Sequence, residues 1–133
     1  MKIDGACHCG RITYEAEIDP ERVILCHCTD CQTLSGTAFR TIVPVTAADF
    51  RLSGEPKVYV KTAESGRKRA QAFCPDCGAP IYASAVGEAP KHYFLRLGTC
   101  RQRAELAPRK QIWARSAVPW LADIPGVPKL AEQ

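Results

Sequence analysis

Seven of the eight cysteines in this 133-residue chain fall in three short clusters: Cys7-His8-Cys9, Cys26-His27-Cys28-Thr29-Asp30-Cys31 and Cys74-Pro75-Asp76-Cys77-Gly78. Packing of an apolar core does not require that pattern; metal ligation does. Residues i and i+2 of an extended chain point to one side, so each Cys-X-Cys offers both sulfurs to one ion while the intervening His8 or His27 turns away. The two-residue gap of Cys74–Cys77, followed by Gly78, suits the tight knuckle of zinc ribbons. A structural zinc needs four ligands, and the outer clusters supply Cys7, Cys9, Cys74 and Cys77. That division leaves Cys26, Cys28 and Cys31, three thiolates with an open fourth position, the pattern of a catalytic zinc. The expectation is two zinc ions per chain.

Charge makes the expectation more specific. Three thiolates on Zn²⁺ leave a net charge of −1, too electron-rich to generate hydroxide well. Such a site is suited to a fourth sulfur, whose thiol pKa it lowers. The chemistry expected is therefore at a small thiol or thiol adduct, with Cys26, Cys28 and Cys31 holding the reactive ion. The alternative is a middle site closed by Cys100 or a histidine, both ions being structural. The protein would then be a non-catalytic, zinc-stabilised module that binds protein or nucleic acid.

Composition narrows the setting. The chain is 46% hydrophobic and 24% charged, with ten Pro and nine Gly, as expected for one folded, turn-rich domain spanning 1–133. No apolar run approaches the roughly 18 residues of a membrane span, and Met-Lys-Ile-Asp-Gly-Ala-Cys lacks a signal-peptide core. A cytoplasmic protein is expected, where a reducing milieu disfavours disulfides. The formal charge of +4 is scattered apart from Arg67-Lys68-Arg69, and seven thiolates with two Zn²⁺ would lower it further, so nucleic acid is not an expected partner.

The pattern along the chain is mostly β. Residues 11–18 alternate apolar and polar, and strands are also expected at 38–45, 57–62, 69–73, 80–85 and 92–97. Residues 29–36 suit a loop or one helical turn, and Thr46-Ala-Ala-Asp49 resembles a capping box. An irregular tail, 108–133, is expected to pack on the sheet, with Trp113 and Trp120 as core plugs. Ser35 and Gly36, close to Cys31, are candidates to offer backbone N–H groups to substrate, and Trp113 is a candidate cleft wall. His8 and His27 read as exposed or backbone-bonded turn residues, His92 as a strand start, and Cys100 as a small buried hydrophobe.

These clusters, with Gln32-Thr-Leu-Ser35-Gly36, Gly98-Thr99 and Ile112-Trp113-Ala-Arg-Ser116-Ala-Val-Pro119-Trp120, resemble the glutathione-dependent formaldehyde-activating enzyme family, or centromere-protein-V domain, from about 5 to 125. The resemblance implies a zinc-stapled β-tent of short antiparallel sheets with few short helices. It implies a structural zinc on the outer clusters and a catalytic zinc on the middle one. The activity implied is a carbon–sulfur lyase reaction joining glutathione and formaldehyde as S-hydroxymethylglutathione. The chain departs from the family pattern at Cys100-Arg101, where an aliphatic and then an acidic residue are more usual, and at Gln111, where histidine is common. Neither departure touches a metal cluster.

Overall fold

The computed structural model describes residues 1–87 and 89–133. Ten strands are present among the described residues: β1 (Lys2–Ala6), β2 (Thr13–Glu17), β3 (Ile24–Cys26), β4 (Arg40–Thr46), β5 (Phe50–Ser53), β6 (Lys57–Thr62), β7 (Lys68–Phe73), β8 (Pro80–Ala85), β9 (His92–Arg96) and β10 (Lys110–Ile112). They form a three-stranded sheet in the order β1-β2-β5 and a seven-stranded sheet in the order β10-β3-β4-β9-β8-β7-β6. The mostly-β expectation holds, with one α-helix, α1 (Thr29–Ser35), and several 3-10 turns among the described residues. One pairing departs from the expected antiparallel sheets. β10 runs parallel to β3, with Ile112 opposite Cys26.

The core lies where the two sheets share apolar faces. Alternation along β2 buries Tyr14 and Ala16, and these join Ile3, Val43, Val45, Ile81 and Leu95 in one cluster. Cys100 is fully buried in that cluster. Strands 57–62 and 80–85 stand at the residues expected; β1, β5 and β10 are not among the expected strands, although Phe50-Arg-Leu-Ser53 alternates apolar and polar. Thr46-Ala-Ala-Asp49 yields only a 3-10 turn over Ala47–Asp49. Thr46 Oγ1 donates to the Asp49 carboxylate at 2.7 Å and caps no backbone group.

Two expectations about side chains are corrected. Trp113 and Trp120 are 49% and 54% exposed, so they are not core plugs. Trp113 adopts φ 55° at the entry to a 3-10 turn, which swings its indole outward under the Arg115 guanidinium, 5.0 Å from the ring centroid. His27 is 2% exposed and its Nε2 lies 2.7 Å from Gln111 Oε1, so it is an interior residue bonded to a side chain. The parallel strand β10 brings Gln111 over it.

Gly5 ties the three-stranded sheet to the turn that follows β9. It pairs with Tyr14 on β2 and bridges to Cys100, and a Cβ there would collide with the Tyr14 ring and the Thr99 carbonyl oxygen. Gly5→Ala is expected to lower stability by about 1–3 kcal/mol, read from urea unfolding. An unchanged midpoint would show that the Thr99 turn yields freely.

Candidate metal centres and an adjoining cleft

The first centre is built from two turns 65 residues apart. After β1, the Cys7 N–H donates to the Ile12 carbonyl (2.9 Å) and the Gly10 N–H to the Cys7 carbonyl (3.0 Å), closing a turn around Cys9. After β7, the Gly78 N–H donates to the Cys74 carbonyl (2.8 Å), with Gly78 at φ 77°, a conformation that favours glycine. The sulfurs of Cys7, Cys9, Cys74 and Cys77 all lie within 4.8 Å of one another. Cys7 Sγ is 3.6 Å from Cys9 Sγ, and Cys9 Sγ is 3.7 Å from Cys74 Sγ. A tetrahedral ion with metal–sulfur bonds of about 2.3 Å spaces its ligands about 3.8 Å apart, so the donor set fits zinc.

Backbone N–H groups already favour thiolate here. The Ile12 N–H donates to Cys7 Sγ at 3.2 Å. The N–H groups of Ala79 and then Cys9 hold the Cys77 thiol down to about 6. Arg11 and Asp76, one from each turn, form an ion pair at 2.8 Å that is exposed and adds little.

The second centre is compact in sequence. Cys26 ends β3, Cys28 is the N-cap of α1, and Cys31 sits in its first turn, all three sulfurs lying within 4.8 Å. The Cys31 N–H donates to Cys28 Sγ at 3.2 Å. At the other end the Gly36 N–H is spent on the Gln32 and Thr33 carbonyls at 3.0 and 3.3 Å, with Gly36 at φ 68°. The Gln32 side chain donates to the carbonyls of His27 (2.7 Å) and Ser116 (2.9 Å), tying the loop to β3 and the tail. Interaction with Cys31 holds the Cys26 thiol below its ordinary range, and the same interaction, with burial, pushes Cys31 up.

Among the described residues, no fourth cysteine, histidine or carboxylate joins these three sulfurs. Cys100 Sγ lies 3.4 Å from Gln102 Oε1 in the core, and His27 Nε2 is engaged by Gln111. None of the eight cysteines is paired in a disulfide.

A cleft of 620 Å³ has a lining that includes His8, Ser35, Thr37, Arg40, Arg96 and Thr99, and none of the seven clustered cysteines is among its lining residues. Ser35 thus reaches the cleft, its hydroxyl leaning on the Gln32 and Phe39 carbonyls at 3.4 Å. Gly36 and Trp113 are not among the lining residues. The arginines escaped the sequence reading. Their one signal was a charge inside otherwise apolar strands, Phe39-Arg40-Thr-Ile-Val and Phe94-Leu-Arg96-Leu. Burial, and then repulsion from Arg40, pull Arg96 down to about 9. Arg67 and Lys68 are exposed, and Arg69 lies over the Phe94 ring at 5.2 Å.

No helix of the described residues is long and apolar enough to cross a membrane. No curated protein matches the chain. A crystal structure of a Rhodobacter sphaeroides protein shares the fold, with a TM-score of 0.60 and 18% identity over 81% of this chain and 98% of that one. The family described as glutathione-dependent formaldehyde-activating enzyme (GFA) matches residues 2–116. That match covers most of the chain, which carries two cysteine clusters able to hold metal and belongs to the glutathione-dependent formaldehyde-activating enzyme family.

Proposed function

We propose that the protein is a cytoplasmic, zinc-dependent carbon–sulfur lyase acting on a small thiol adduct, interconverting glutathione plus formaldehyde with S-hydroxymethylglutathione. The observation that carries this reading is the three-sulfur cluster of Cys26, Cys28 and Cys31, which lacks a fourth protein ligand among the described residues. The four-sulfur centre is closed and would be structural. A zinc ion on the three-sulfur cluster would supply a soft Lewis acid that accepts a thiol sulfur and holds it as thiolate.

The chain's own residues do the rest. The three cysteines fix the sulfur's position, with Cys28 and Cys31 held rigidly by the capped turn of α1. In the synthetic direction a C–S bond forms at the formaldehyde carbon, and the proton lost by the thiol ends on the new hydroxyl; no oxidant is involved. Ser35 and the neighbouring threonines offer hydroxyls along the cleft to orient the polar adduct.

The test uses protein with cobalt in place of zinc. Glutathione is expected to change the sulfur-to-metal absorption, with apparent affinity rising with pH, since the bound species is the thiolate. Formaldehyde is then expected to equilibrate with glutathione faster than in buffer of equal free metal. A spectrum indifferent to glutathione and to every other small thiol would sink the enzyme reading and leave a zinc-stabilised binding module. A response without acceleration would keep the thiol site and remove formaldehyde as the substrate.

A further inference from the structure

Arg40 and Arg96 are more than nine-tenths buried, at 6% and 7% exposure. Strand register sets their positions: Arg96 stands opposite Ile42 on β4, and Arg40 lies two residues before Ile42 on the same face, opposite Cys26 of β3. The two guanidiniums share one neutral acceptor. Gln71 Oε1 receives Arg96 Nη2 at 2.7 Å and Arg40 Nη1 at 3.4 Å. None of the ion pairs among the described residues includes either arginine. Buried guanidinium is ordinarily paired, because leaving water uncompensated is costly. The middle cluster offsets only part of this charge: three thiolates around a divalent ion leave one negative charge against two positive ones.

Arg40 and Arg96 both line the 620 Å³ cleft and a second cleft of 350 Å³. Hydroxyls of Ser35, Thr37 and Thr99 border the first cleft. The planar guanidinium fork matches a carboxylate bidentately, which adds geometric specificity to charge.

We infer that Arg40 and Arg96 form a carboxylate-binding site, which makes the preferred substrate an acidic thiol with its carboxylate on this pair and its sulfur toward Cys26, Cys28 and Cys31. The sulfur end rests on the function proposed above; the carboxylate end rests on the arginine pair alone. Small neutral thiols would reach the metal cluster without this anchor.

The cobalt-substituted protein is titrated with glutathione and with its diethyl ester, which keeps the thiol and masks both carboxylates. Glutathione is expected to bind about tenfold tighter or more, as charge-assisted hydrogen bonds imply. Arg96→Gln is expected to bring that ratio close to one while affinity for the ester stays unchanged. Its ligand-free melting temperature is expected to equal or exceed that of the wild type, since an uncompensated buried charge is removed; a merely structural Arg96 would lower it. Equal wild-type affinities for the two thiols, or a ratio that survives Arg96→Gln, would overturn the site. If Arg96→Gln does not fold, the wild-type ratio decides. Calorimetry with S-methylglutathione, whose sulfur is blocked, separates this inference from the thiol reading. Binding that is lost in Arg96→Gln supports the carboxylate site even where cobalt ignores every thiol, and no binding to the wild type counts against it.

Discussion

Cys74→Ser is expected to leave a chain without a cooperative thermal transition. Cys74 is fully buried at the end of β7, and its sulfur meets those of Cys7 and Cys9 from the turn after β1, so one ion would tie the three-stranded sheet to the seven-stranded one. Metal binding at structural sites of small domains contributes about 10–16 kcal/mol. Net domain stability is only about 5–15 kcal/mol, so losing the ion exceeds most of what the rest of the fold supplies. Circular dichroism during heating, with zinc in slight excess, checks it. A transition close to that of the wild type would show that the four-sulfur centre is not structural.

Cys28→Ser should separate function from folding. Serine is a strong helix N-cap, so its hydroxyl can replace Cys28 Sγ as acceptor for the Cys31 N–H, and α1 keeps both ends capped. The protein is expected to fold with a melting temperature near that of the wild type. It is expected to carry one metal ion by elemental analysis against two in the wild type, and to show no acceleration of the glutathione–formaldehyde reaction. Collapse equal to that of Cys74→Ser would mean that both centres are structural and would favour a binding module. One ion per wild-type chain after zinc resupply would remove the open site altogether.

The division of cysteines into four and three was legible in the sequence because each ligand group is a local object. Spacings of i, i+2 and i, i+3 converge sulfurs through turn geometry alone, and the structure brings together the same two sets. The strand at 11–18 was legible for a similar reason, since its alternation reports which face meets the core. Sequence left β1, β5 and β10 unread. They are short, and β10 exists because it finds the edge of β3, a pairing between residues 24–26 and 110–112 that no local pattern encodes.

His27, Trp113 and the arginines mark the same boundary from the side of burial. Composition and spacing assign histidine and arginine to the surface and tryptophan to the core, since that is where their transfer energies ordinarily send them. Here β10 covers His27, and a left-handed turn lifts Trp113 out to Arg115. Residue types and their spacing along the chain determined the two candidate metal sets and the β character. Tertiary structure alone decided that Arg40 lies opposite Cys26 and shares Gln71 with Arg96 at the wall of a cleft, because strand register carries charges into the interior that no residue could hold there by itself.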